Sequence, residues 1–320
     1  MSVTSEAHHL TIPGVVSNRY IGSKRLVAYF RNLYARALRG RGAAQWEVGV
    51  NFAEPDRAFA RSEAIAVAWF TRAVGSGYVP AMNNLAFAYL TGQGVGRDAR
   101  RAIRLYEAAI AAGDVAAMCN LGRCLVAGRG VSMDVRRGVA RLRRSAAAGY
   151  YFAAVELANL CEEGAAVRRS LVTSVTWLRT AARLADDADD AGATRRLALA
   201  YETGRGVPRS SRAALRWMRA AAEGGDLDAC RDLGWYYQQG IGTQIDGAQA
   251  MSWYRKVKDA TSAFNIAILY LERDAQRAAS RWFARAAALG HARSREYLAT
   301  RDSTLLLERP RDRGEPGRRR

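Results

Sequence analysis

Side chains able to ligate a metal or act as nucleophiles are few in this chain and poorly spaced for that work. The histidines are His8, His9 and His291, and none has a helical partner at i+4. The cysteines are Cys119, Cys124, Cys161 and Cys230, without the C-x-x-C spacing that closes a zinc site. Asp186, Asp187, Asp189 and Asp190 crowd one turn, ADDADDAG. A calcium loop needs alternating oxygen ligands, a glycine turn and a distal glutamate, so the run reads as an acidic surface turn. No H-E-x-x-H, no G-x-S-x-G elbow and no G-x-x-x-x-G-K-[ST] loop occurs. The G-x-G-V segments at Gly92, Gly128 and Gly204 lie between two helices rather than between a strand and a helix, so they predict hairpin turns and not phosphate loops. No catalytic residue, metal or cofactor is expected, and the chain is read as a non-enzyme.

Arginine is the one abundant chemical group. The formal net charge is +19, and only three of the 49 basic residues are lysines: Lys24, Lys256 and Lys258. Guanidinium groups suit carboxylates and phosphates. The excess therefore points to an anionic partner: an acidic protein, a nucleic acid or a membrane surface. A codon preference for arginine on solvated faces is the plainer source of the Arg-over-Lys choice. The densest cluster is a basic patch of Arg136, Arg137, Arg141, Arg143 and Arg144.

The elements that position these groups repeat. In residues 81–113, Ala81, Leu85, Ala86 and Tyr89 form one face of a helix. Gly92 and Gly94 break it, Asp98 caps a second helix, and Gly113 ends that one. With Leu85 as marker, the frame recurs at Val48, Leu121, Leu157, Leu197, Leu233 and Ile266, in steps of 37, 36, 36, 40, 36 and 33 residues. A small residue follows each marker. Four past it stand Phe52, Tyr89, Leu125, Cys161, Tyr201, Tyr237 and Tyr270. The second helix carries Trp69, Leu105, Arg141, Trp177, Trp217, Trp253 and Trp282 in one slot, and the repetition assigns that slot to the core. In the third repeat Leu142 is expected to fill the space beside Arg141. A fixed period near 36 predicts an all-α solenoid of about seven helix–turn–helix repeats over residues 44–300. Residues 1–43 form a basic N-terminal segment whose amphipathic helix at 23–39 caps the first repeat; a membrane-surface or targeting helix is the other reading. Residues 301–320 read as a basic disordered tail.

The pattern A-x-x-x-L-G-x-x-Y, G-x-G-V, D, A, W-Y and A-A before glycine resembles the Sel-one-like repeat family, relatives of the tetratricopeptide repeats. The resemblance implies a right-handed solenoid and a protein-binding scaffold. Secreted members often join the two helices of a repeat by a disulfide; no second helix here carries a cysteine, so buried free thiols are expected. Some small cysteine-rich relatives are linked to β-lactam hydrolysis, but the cysteine pairs and the S-x-x-K motif are missing here.

In tetratricopeptide-like solenoids the first helices line the concave face. The resemblance places Asn83, Arg123, Asn159, Arg195, Arg231 and Trp235 there, as candidates to hold an extended partner polypeptide: Asn on its backbone, Arg on its acidic groups. The expected function is a non-enzymatic scaffold or adaptor that binds a partner polypeptide on the concave face; phosphate contact with nucleic acid is the alternative. No run of about 18 apolar residues is present. The N-terminus lacks the marks of a secretory signal, so a soluble, cytoplasmic monomer is the expectation.

Overall fold

A computed structural model describes residues 24–54, 62–185 and 191–300. His8, His9, the acidic run 186–190 and the tail from 301 onward lie outside the described residues. Sixteen α-helices and no strand occur among the described residues. After α1 (Lys24–Leu38), seven hairpins follow. They are α2 (Gly42–Ala53) with α3 (Glu63–Gly75), α4 (Val79–Thr91) with α5 (Ala99–Ala111), and α6 (Val115–Ala127) with α7 (Val135–Ala147). Next come α8 (Tyr151–Glu163) with α9 (Leu171–Leu184), α10 (Ala191–Thr203) with α11 (Ser211–Glu223), and α12 (Leu227–Gln239) with α13 (Gly247–Tyr254). The last is α14 (Ala260–Leu271) with α15 (Gln276–Ala288), and α16 (Ala292–Thr300) ends the series. The repeats fall into two compact units, residues 1–157 with 165–168, and 158–164 with 169–320, divided within α8.

Each hairpin follows from its capping and turn residues. The Asp98 and Asp134 carboxylates accept the N–H of Arg101 and Arg137, both at 2.9 Å, and so start α5 and α7. Ser170 and Ser210 do the same for α9 and α11. First helices are capped likewise: Asp114 and Asp226 each accept at 2.8 Å, from Ala117 and Ala229. In the turn, Gly94 has φ +68, and a Cβ there would lie 2.2 Å from the backbone of Glu63, the first residue of α3. Gly206 meets Leu171, the first residue of α9, at 2.3 Å. The second glycine of each of these loops therefore seats its turn on the start of the second helix of the preceding repeat.

The core takes in the residue after the recurring tryptophan as well as part of the tryptophan slot, where Trp69 and Trp253 are buried as the sequence assigned. Tyr106, Leu142, Met218, Tyr254 and Phe283 have no exposed surface. Trp177, Trp217 and Trp282, each one residue earlier, are only half-buried. Successive residues on a helix are about 100° apart, so both cannot face the same partner. The inner residue packs on its own first helix, at the small position after the marker: a Cβ on Gly49 would lie 2.6 Å from the Phe70 ring, and one on Gly234 2.7 Å from Tyr254. A cation lies over several of these indoles: Arg72 over Trp69 (4.8 Å), Lys256 over Trp253 (3.6 Å) and Arg285 over Trp282 (5.1 Å). In unit two, the arginine two residues past Trp177, Trp217 and Trp253 donates to a tyrosine of the next repeat: Arg179 to Tyr201 (2.7 Å), Arg219 to Tyr237 (2.6 Å) and Arg255 to Tyr270 (3.0 Å).

Leu142 fills the inner position of the third repeat, with its Cγ 3.0 Å from where a Gly122 Cβ would stand. In α1, Phe30, Leu33 and Ala37 are buried, and Tyr34 meets Trp69 edge-on at 5.4 Å between centroids. All four cysteines are buried, and none is in a disulfide. Burial pushes the Cys119 thiol up to about 12.

Candidate functional site

In unit one, α4, α5 and α6 with their turns enclose a cleft of about 310 Å³. Its floor is Leu90, Tyr106 and Cys124; Phe87, Thr91 and Asn120 form its sides, and Arg97, Arg123 and Arg129 complete it. The helical register accounts for the floor, because Leu90, Tyr106 and Cys124 are all buried inward-facing residues. Arg97 and Arg129 come from the two glycine turns, 32 residues apart in sequence but brought to one cleft by the stacking of the hairpins. No carboxylate lines the cleft. Glu156 stands 3.5 Å from the Arg123 guanidinium, which remains half exposed. Burial raises the Cys124 thiol, while Arg123 and Arg129 pull it down, which fits two cations close to its sulfur. Burial also raises the Tyr106 phenol, so it stays protonated as a donor. The cleft combines fixed positive charge with an apolar base, the combination that holds a carboxylate next to a hydrophobic side chain.

Asn83 and Arg123 belong to this region. The Asn83 side chain accepts from the Asn120 amide at 2.9 Å and so helps to orient one wall of the cleft. The other candidates lie in unit two and are engaged differently. Arg195 binds Asp232 at 2.8 Å and approaches Asp228 at 3.8 Å. Arg231 pairs with Asp228 and Asp259. These arginines form a continuous chain with three aspartates, so their charge is largely met within the protein. Trp235 is half-buried, its ring 6.0 Å from Tyr236, and Asn159 is half-buried on α8. The basic patch lies on α7: Arg136, Arg137, Arg143 and Arg144 are exposed, and Arg137 comes within 3.9 Å of Asp134.

The residue just before the marker is polar in each repeat, and several of these residues bond to the preceding repeat, as acceptors (Asn84, Asp232) or as donors (Asn120). Trp46 donates its indole N–H to Asn84 (2.8 Å), Asn120 donates to Asn83, and Arg195 donates to Asp232 (2.9 Å). Glu162 similarly pairs with Arg196 at 3.0 Å. Sequence reasoning missed this seam, although the run Glu47, Asn84, Asn120, Glu156, Arg196, Asp232 and Asn265 carried the signal. It also missed Arg97 and Arg129, which only the stacking of turns brings together.

The seam makes stability pH-dependent. Burial pushes the Asp259 carboxyl up, but the Ser262 N–H (2.6 Å) and Arg231 outweigh it, leaving the group below the usual carboxylate range. A lowered folded pKa contributes stability above the unfolded carboxylate range and loses it as pH falls through the folded value. Asp259→Asn should therefore lower the urea midpoint at pH 6 and narrow the gap between midpoints at pH 6 and pH 3. An unchanged gap would contradict the assignment.

Among the described residues no cluster of His, Cys, Asp and Glu is placed to hold a metal ion, and no helix is long and apolar enough to cross a membrane. His291 caps α16: its ring accepts the Ser294 N–H at 3.2 Å and stacks on Phe264 at 4.3 Å.

Comparison with known proteins agrees with this architecture. The Sel1 repeat model matches residues 79–114, 115–150, 152–186, 191–226, 227–259 and 263–291. A protective antigen of uropathogenic Escherichia coli, described as displaying an SLR fold, is 26% identical, with a TM-score of 0.61 over 84% of this chain and 58% of its own. The chain thus spans a little over half of that protein. A Sel1 repeat protein from Oxalobacter formigenes is 22% identical, with a TM-score of 0.51 over 72% of this chain and 93% of its own. No curated protein matches the sequence. With six repeats matched in phase and folded as hairpins, the chain belongs to the Sel1 repeat family.

Proposed function

We propose that this protein is a non-enzymatic scaffold that binds a partner polypeptide along its first helices. The observation that carries this reading is the cleft of Arg97, Arg123 and Arg129 above Leu90, Tyr106 and Cys124. An acidic segment with an adjacent apolar side chain suits it: the carboxylate meets the guanidinium groups and the apolar group meets the floor. Asn83, through Asn120, positions a wall of that cleft. In unit two, Arg195, Arg231 and Trp235 are a separate set of candidates, where an acidic partner would have to compete with Asp228, Asp232 and Asp259. Unit one is therefore the stronger anchor.

The test is affinity capture from a nuclease-treated lysate at moderate salt, with wild type beside R97E/R123E/R129E. Wild type should retain a discrete protein, and the charge reversal should lower its recovery at least about tenfold with helicity preserved. Equal recovery by both would remove the cleft from the function. Loss of all captured material on nuclease treatment would overturn the scaffold reading itself.

A further inference from the structure

The third repeat breaks the aromatic pattern in two places at once. Where most repeats carry tryptophan it has Arg141, and where most carry tyrosine or phenylalanine it has Leu125. The arginine that reaches such a tyrosine from the preceding repeat, as Arg179, Arg219 and Arg255 do, is here Glu107. At this place α5, α6 and α7 leave a second cleft of about 400 Å³, with apolar walls of Ile103, Leu121, Leu125 and Val131 and the charged groups Glu107, Asp134, Arg137 and Arg141. Arg141 makes no ion pair among the described residues. The basic patch of α7 borders this cleft, and Met133, 70% exposed, stands at its edge.

We propose that this notch is an unfilled aromatic slot that receives a tryptophan side chain from an acidic segment of a partner protein. The chain's own architecture supplies the template, since the slot is occupied by indole at Trp69, Trp177, Trp217, Trp253 and Trp282. The walls Ile103, Leu121, Leu125 and Val131 give the indole an apolar seat. Glu107 is an acceptor for its N–H, where a neighbouring arginine would offer only donors. The cation that lies over the indole at Trp69, Trp253 and Trp282 comes three residues further on, a position held here by Arg144, while Arg141 lines the notch itself. Around the notch, Arg136, Arg137, Arg143 and Arg144 face carboxylates flanking the tryptophan. This notch is formed by α5, α6, α7 and the turn between the last two, shares no lining residue with the arginine cleft, and does not rest on the proposal above.

The probe is a fluorescein-labelled dodecapeptide with glutamates around one central tryptophan, and a copy with alanine in its place, read by anisotropy at fixed salt. The tryptophan peptide should bind at least about tenfold tighter than the alanine peptide. Arg141→Trp fills the slot from within, so it should erase that ratio without lowering the thermal midpoint. Ile103→Trp fills it from the opposite wall and guards against a misfolded first variant. R97E/R123E/R129E should leave the ratio unchanged, which separates this proposal from the scaffold cleft. Equal affinity for the two peptides, no binding of either, or an undiminished ratio in both filled variants would overturn it. Binding of an oligo-thymidine that the filled variants lose, without peptide binding, would assign the notch to nucleobases and overturn it equally.

Discussion

Gly94→Val should lower the stability of the protein by at least about 3 kcal/mol, while Gly77→Ala should cost about 1 kcal/mol. Both glycines have positive φ, +68 and +77, so an L-side chain is strained at either. The difference is what surrounds them. A Cβ at Gly77 meets nothing within 4 Å, whereas a Cβ at Gly94 overlaps the Glu63 backbone at 2.2 Å and the Ala64 nitrogen at 2.6 Å. Backbone at the start of α3 cannot move aside as the tip of a side chain can. The turn between α4 and α5 would have to lift away from α3, and the seam between the first two repeats would open. Urea unfolding followed by circular dichroism measures both losses. Similar midpoints for the two variants would show that φ strain alone matters, and that the turn is not seated on the preceding repeat.

Phe283→Ala should cost about 3–5 kcal/mol, and the larger neighbour Trp282→Ala about half of that or less. Phe283 is fully buried, edge-on to Phe264 at 5.8 Å and tilted against Tyr297 at 4.5 Å. Its removal leaves a void between α14, α15 and α16. Trp282 is half-buried under Arg285, and truncation there trades protein contacts for water on one side. By side-chain size alone the order would be reversed. Thermal or urea unfolding of the two variants decides it; a costlier Trp282→Ala would restore tryptophan as the core residue of the repeat.

That contrast marks where the sequence was legible. Repetition reports that a position is constrained, and it placed both helices, the Asp98 cap and the glycine turn of the second repeat within a residue or two. It does not report which neighbour imposes the constraint. Trp282 lies under the Arg285 cation, whereas Phe283 packs on Phe264 of its own first helix. From the pattern the two slots look alike. Arg123, Arg195 and Arg231 hold related positions in the repeat, yet Arg195 and Arg231 are met by aspartates and Arg123 is left half exposed by a single glutamate at 3.5 Å. That outcome depends on residues 28 to 37 positions away, across a stacking interface that no local pattern encodes. The arginine cleft was hidden for the same reason, since Arg97 and Arg129 are ordinary turn residues until two turns are laid side by side.

The way each turn rests on its predecessor also bears on how such a protein can be cut and rejoined. A crossover placed in the gap between two hairpins looks clean on the sequence, yet it pairs one ancestor's glycine turn with another ancestor's helix start. The piece that travels intact is offset: it begins at a second helix and ends after the following turn, so that Glu63 moves with Gly94, or Leu171 with Gly206. Chimeras and duplications that respect this offset inherit a matched joint, and those cut at the visible repeat boundary must find one anew.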